Sequence, residues 1–132
     1  MVIDASAVIA FLVNEPEARR IRMTIVNFSE RSMSALNVYE CRIALGRKFM
    51  ESMLREFELL LLKADIKIIP FDEEQAVLAH RAYEAFGKDS DHPAKLTFSD
   101  CAAYALAKSM GEPLLFKGEG FSHTDIKPAI IG

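Results

Sequence analysis

The sequence predicts a three-layer α/β/α domain on a mainly parallel sheet, and three observations lead there. Short strand-like runs at Met1–Ile3, Arg31–Ala35, Ile66–Ile69 and Pro113–Phe116 alternate with helical stretches, the pattern of strand–helix–strand crossovers. The chain has 132 residues, 51% of them hydrophobic and 27% charged, which is enough for one domain with a real core. No linker, internal repeat or low-complexity tract divides it, so residues 1–132 read as a single domain.

Taken in order, Met1–Ile3 is the first strand and Ser6–Val13 a short helix. Glu15-Pro16 punctuates the chain before a second helix through about Phe28, with Pro16 tolerated at its start. Arg31–Ala35 is a short strand. One helical stretch then runs from about Val38 toward Lys63, with Val38, Cys41, Leu45 and Phe49 on one face and a bend expected at Gly46. Ile66–Ile69 is β-branched and ended by Pro70. The next helix spans about Glu73 to Phe86, closed by Gly87. Lys88–Leu96 is a polar loop, Phe98–Met110 an Ala-rich helix stopped by Gly111 whose small side chains suit close packing on a sheet, and Pro113–Phe116 the last strand before a Gly118-Glu119-Gly120 turn. Met23, Met33, Met50, Met53 and Met110 read as core filler.

The first thirteen residues are mostly apolar but lack a basic leader and carry Asp4, which argues against a signal peptide. No run is long enough to span a membrane. Cys41 and Cys101, with no export signal, read as reduced core thiols, so the protein is expected to be cytoplasmic. Net charge is −3, yet residues 15–55 hold eight basic residues against five acids, net +3, which leaves the remainder at −6. A basic face beside an acidic pocket suits an enzyme that grips phosphates and holds a metal. Solvated helix faces explain individual charges equally well.

Asp4 directly follows the first strand, and ligands of open α/β sheets bind beyond the carboxyl ends of the strands. Glu40 and Asp100 each stand near the start of a predicted helix, so three carboxylates converge on one rim. Hard cations such as Mg²⁺ or Mn²⁺ take such oxygen ligands, activate water and neutralise phosphoryl charge. Capping competes with this reading. Asn37-x-x-Glu40 and Thr97-x-x-Asp100 match a capping box or a near variant, as does Asp72-x-x-Gln75, and capping suffices for either acid alone. It does not explain Asp4, which caps only if a helix starts at once. Ser6, two residues on, is a helix cap or a donor to the acidic cluster.

Other chemistries are weaker. His80, His92 and His123 show no zinc-ligand spacing, and no Gly-rich phosphate loop is present. A phosphatase with an aspartyl nucleophile needs a second Asp where Ser6 stands, and a phosphoacceptor receiver has only Asp72 to offer.

Five segments together carry a family resemblance: Val2-Ile3-Asp4-Ala5-Ser6-Ala7-Val8, Ser34-Ala35-Leu36-Asn37-Val38-Tyr39-Glu40, Leu96-Thr97-Phe98-Ser99-Asp100-Cys101-Ala102-Ala103-Tyr104-Ala105-Leu106-Ala107, Pro113-Leu114-Leu115-Phe116-Lys117-Gly118 and Phe121-Ser122-His123-Thr124-Asp125-Ile126. In order and spacing they resemble the PIN-domain ribonucleases of the VapC toxin kind over nearly the whole chain. The resemblance implies a PIN-like α/β/α fold and a Mg²⁺- or Mn²⁺-dependent endoribonuclease, the toxin half of a toxin–antitoxin pair, with an RNA substrate (tRNA among the candidates), a small cognate antitoxin and a homodimeric state. Asp4, Glu40 and Asp100 match the family's first three acids. Its fourth stands just before the Phe, where this chain has Gly120, which leaves Glu119 or Asp125 as replacement. A non-catalytic binding domain on the same fold is the competing class, favoured by Gly120. Asp125 follows Ser122 at capping-box spacing, and Glu119 is the preferred metal ligand. The apolar stripe of the second and third helices, with Phe57 and Leu59–Leu62, exceeds what one sheet needs and predicts an interface.

Overall fold

The computed structural model describes residues 1–48 and 51–130. Four strands, β1 (Val2–Ile3), β2 (Arg31–Ser34), β3 (Ile66–Ile69) and β4 (Leu114–Leu115), form one all-parallel sheet in the order β3-β2-β1-β4. Parallel neighbours cannot be joined by tight turns, so each link carries helices. These are α1 (Ala5–Leu12) and α2 (Ala18–Asn27), then α3 (Ala35–Lys48) and α4 (Glu51–Lys63), then α5 (Glu73–Phe86) and α6 (Phe98–Met110). A 3-10 turn, Gly120–His123, follows β4.

Successive strand residues point to opposite faces, and the central strands divide accordingly. Ile3 and Leu115 join Val8, Ile21, Leu45 and Phe57 in one apolar cluster; Val2 and Leu114 join Ala82, Ala103 and Leu106 in the other. Helices α1–α4 therefore cover one face and α5 and α6 the other, the three layers predicted. Ala102, Ala103, Ala105 and Ala107 of α6 are all buried, and these short side chains let the helix lie against β1, β2 and β4.

The predicted strands stand, but the helices need correction. The stretch read as one helix from Val38 to Lys63 is two helices, and the first begins at Ala35, straight off β2. Ser34 makes this abrupt start possible: its hydroxyl accepts from Leu36 N at 3.2 Å, serving an amide that has no partner in the first turn. Gly46 is not a bend but lies within α3, which is described as far as Lys48, and α4 begins at Glu51; Phe49 and Met50, read as part of the helical stretch, lie outside the described residues. Helix α2 starts at Ala18, after a turn through Pro16. Phe57, expected on an interface stripe, is fully buried between α4 and the sheet, whereas Leu62 is exposed. Met33 is core, but Met23 and Met110 face solvent.

Two glycines are required by the chain's path. At Gly87 a Cβ would lie 2.3 Å from the Tyr83 carbonyl oxygen, so only Gly lets the chain turn off α5 there. Gly118 has φ +100, a backbone that L side chains rarely adopt, and it turns the chain directly after β4. No helix among the described residues is long and apolar enough to cross a membrane.

Candidate active site

Because all four strands are parallel, their carboxyl ends share one edge, and the sequence-predicted acids gather there. Asp4 leaves β1 and at once caps α1, the immediate start that its capping role required. Its Oδ2 accepts from Ser6 N at 3.0 Å and from the Ser6 hydroxyl at 2.5 Å. The same hydroxyl accepts from Lys117 N at 3.0 Å, so Ser6 ties the loop after β4 to the end of β1. Asp4 is only 2% exposed, and its Oδ1 is buried without a hydrogen-bond partner. Burial pushes its carboxyl from 3.8 up to about 7; the bonds from Ser6 pull it down, and the charges of Asp100 and Glu40 push it further up. None of the groups acting on it is a cation.

Glu40 is in the second turn of α3, so the capping box read at Asn37 and Glu40 does not form. Asn37 is instead a fully buried residue inside the helix. Its Nδ2 donates to Glu40 Oε1 at 3.1 Å and to the Ser99 carbonyl at 3.0 Å, while the Ser99 hydroxyl donates to Glu40 Oε2 at 2.7 Å. These two partners of Glu40 were missed by sequence reasoning. The spacing of three between Asn37 and Glu40 is the one signal that could have found the first, read as a side-chain pair within a helix rather than as a cap.

Asp100 does form the capping box expected of it. Its Oδ2 accepts from Thr97 N at 2.8 Å, and Thr97 Oγ1 accepts from Asp100 N at 3.3 Å. Asp72 likewise caps α5 by accepting from Gln75 N at 2.9 Å. Capping and a site role are compatible for Asp100, because only one of its oxygens serves the cap.

Asp100 and Glu40 thus act on Asp4 as charges, yet each of the three acids is held by its own donors. Among the described residues no three His, Cys, Asp or Glu side chains are grouped tightly enough to hold an ion. The donor set nevertheless fits a hard divalent cation: carboxylate oxygens without nitrogen or sulfur, and a buried Asp4 oxygen that nothing compensates.

The remaining predicted residues separate. Asp125 is engaged elsewhere: its carboxylate accepts from Tyr104 OH at 2.5 Å and pairs with Lys108 at 2.6 Å, and those bonds hold it below the usual carboxylate range. The capping partnership read with Ser122 does not occur; Ser122 N donates to the Glu119 carbonyl. Glu119 is exposed and lines a hollow with Glu17, Arg20 and Lys117, and neither it nor Asp125 acts on Asp4. At Gly120 a Cβ would lie 3.0 Å from the Ala94 carbonyl oxygen, tight quarters for any side chain. Cys41 and Cys101 are buried free thiols.

Beside Glu40 opens an apolar groove of about 630 Å³ lined by Leu36, Tyr39, Ile43, Arg47, Phe98 and Ser99. Tyr39 and Phe98 are 66% and 77% exposed along it. A second hollow, about 480 Å³, continues past Phe98 toward Phe71 and Tyr83.

A family model described as the PIN domain matches residues 1–127. The chain is 40% identical over 130 residues to the VapC ribonuclease Mb0625 of Mycobacterium bovis, covering 98% of each. Among solved structures it is similar to VapC20 of Mycobacterium tuberculosis, described as a sarcin-ricin loop cleaving toxin, with TM-score 0.75 and 14% identity over 95% of each chain. It is also similar to a toxin–antitoxin complex from Klebsiella pneumoniae, with TM-score 0.69 and 14% identity over 99% of this chain and 95% of that one. At such identities these two likenesses are of fold alone.

Proposed function

The chain belongs to the VapC group of the PIN-domain family, and from that premise we propose that it is a metal-dependent endoribonuclease, the toxin of a type II toxin–antitoxin pair. The observation that carries this reading is the buried Asp4 carboxylate, uncompensated at Oδ1 and facing the charges of Asp100 and Glu40. A buried carboxylate beside two half-buried like charges is costly in a protein that needs it only as a cap, and a divalent cation removes that cost.

Asp4, Glu40 and Asp100 would hold Mg²⁺ or Mn²⁺. When bound, the cation supplies a water activated for attack and offsets charge building on the scissile phosphate. The chain's own residues do the rest. Ser6 fixes the Asp4 carboxylate, and the amino ends of α1 and α6 present positive dipole ends at the same edge. Arg47, on the groove beside Glu40, is placed to meet an RNA phosphate. The substrate is RNA, with tRNA one candidate class. The exposed Tyr39, Ile43 and Phe98 suit a cognate antitoxin, and Met23, Val26 and Leu62 offer apolar surface for a homodimer. The two reduced thiols accord with a cytoplasmic, single-domain protein.

RNA incubated with the antitoxin-free protein is expected to be cut with Mg²⁺ or Mn²⁺ and left intact with a chelator. Cleavage that persists in chelator rejects the metal-dependent reading, and no cleavage under any condition supports a binding domain instead.

Glu119 is the fourth acid of this proposal, since Asp125 is occupied by Lys108 and Tyr104. Glu119→Gln should raise the metal concentration needed for half-maximal cleavage and leave stability unchanged. Asp125→Asn should keep the metal requirement and lower stability by less than about 1 kcal/mol, as expected for a largely exposed pair. Metal titrations and melting curves of both variants check this; an unchanged requirement in Glu119→Gln leaves a site of three acids.

A further inference from the structure

We propose that Asn37 and Ser99 are positioning residues that fix the Glu40 carboxylate between α3 and α6 in the attitude a divalent cation needs; the inference rests on the metal-dependent reading above. Glu40 meets one neutral donor on each oxygen, Asn37 Nδ2 at 3.1 Å on Oε1 and the Ser99 hydroxyl at 2.7 Å on Oε2. A carboxylate oxygen accepts about two hydrogen bonds, so each keeps acceptor capacity for a cation. Neutral donors also leave the full negative charge on Glu40, whereas Lys or Arg in their place would cancel the charge the cation is to meet.

The orientation of the Asn37 amide makes the same point. Both of its N–H groups are used, one on Glu40 and one on the Ser99 carbonyl, 62 residues away in sequence. Its Oδ1 is left buried with no partner. The flipped amide would set an oxygen against the Glu40 carboxylate and the Ser99 carbonyl, so the surroundings force the orientation and an unpaired acceptor is accepted to keep Glu40 in place. Because Ser99 immediately precedes Asp100, the same bonds hold the start of α6, and with it Asp100, against α3. Groups of this kind around metal ligands orient them and tune affinity.

The test uses full-length, RNA-free protein and Mn²⁺ alone, followed by calorimetry. Ser99 is half-buried, so Ser99→Ala removes a hydroxyl without opening the core. It is expected to weaken Mn²⁺ binding about tenfold, leave the chelator-treated melting temperature within a few degrees of wild type, and lower kcat at saturating metal. Ser99→Thr, which keeps the hydroxyl, should restore the affinity. Asn37→Leu, which removes both amide donors at similar volume, should weaken binding at least as much; if it fails to fold, the Ser99 pair still decides. Wild-type Mn²⁺ affinity in Ser99→Ala overturns the positioning role while leaving the metal site intact. A wild-type protein that binds no Mn²⁺ overturns both.

Discussion

Replacing Asp4 with Asn is expected to stabilise the cation-free protein at about pH 8 while abolishing RNA cleavage. Burial, against which the Ser6 bonds work only partly, holds the Asp4 carboxyl at about 7 rather than 3.8. The folded chain therefore binds a proton more tightly than the unfolded chain, and between those two values stability falls as pH rises. Each unit is worth about 1.4 kcal/mol, which amounts to roughly 4 kcal/mol once pH exceeds the folded value and is constant above it. Asn carries no charge to desolvate, but its amide hydrogens go unpartnered where Oδ1 now lies, at a cost of about 1 kcal/mol. A net gain on the order of 3 kcal/mol follows. Denaturant melts in chelator at about pH 4 and pH 8 check it: wild type should lose stability between them and Asp4→Asn should not. Saturating Mn²⁺ should raise wild-type stability and leave the variant where it was. A wild-type curve flat from pH 4 to 8 contradicts the uncompensated burial of Asp4.

Glu40→Gln and Asp100→Asn should each lower cleavage about a hundredfold or more, the scale reached even by groups one step removed from a metal. Stability should change far less. Gln at position 40 can still accept from Asn37 or Ser99, and Asn at position 100 can still accept from Thr97 N, so the capping box of α6 survives in part. Capping alone as the role of Asp100 predicts the opposite pattern, a stability loss of about 0.5–2 kcal/mol with chemistry unchanged. Single-turnover cleavage at saturating metal, paired with melts in chelator, separates the two.

The rim of acids was legible because it depends on local rules. A β-branched or apolar run ends, an acid follows, and parallel connectivity puts each run's carboxyl end on one edge; Asp4 needed nothing more. Asp100 was legible twice over, as a cap and as a rim acid, and it is both. The exact place of Glu40 was hidden by β2 passing into α3 without a loop, since Ser34 at a strand end carries no cap signature until a helix is seen to begin on it. Once the helix starts at Ala35, Asn37 moves from cap to interior and becomes the partner of Glu40. The Ser99 bond to Glu40 spans 59 residues, and no local pattern announces a contact between two helices that far apart in the chain. Asp125 misled for the same reason: its spacing to Ser122 is local, whereas the bonds that hold it reach 21 and 17 residues back, to Tyr104 and Lys108. Phe57 read as surplus on a stripe because amphipathic periodicity shows which face is apolar, not how deep that face sits.

The proposed function stands on one cation site formed by Asp4, Glu40 and Asp100, drawn from three separate elements. Calorimetric Mn²⁺ titration of RNA-free wild-type protein beside Asp100→Asn at about pH 8 tests that site without relying on cleavage. Strong binding to wild type and at least tenfold weaker binding to Asp100→Asn is the predicted result. Equal binding to the two proteins contradicts it.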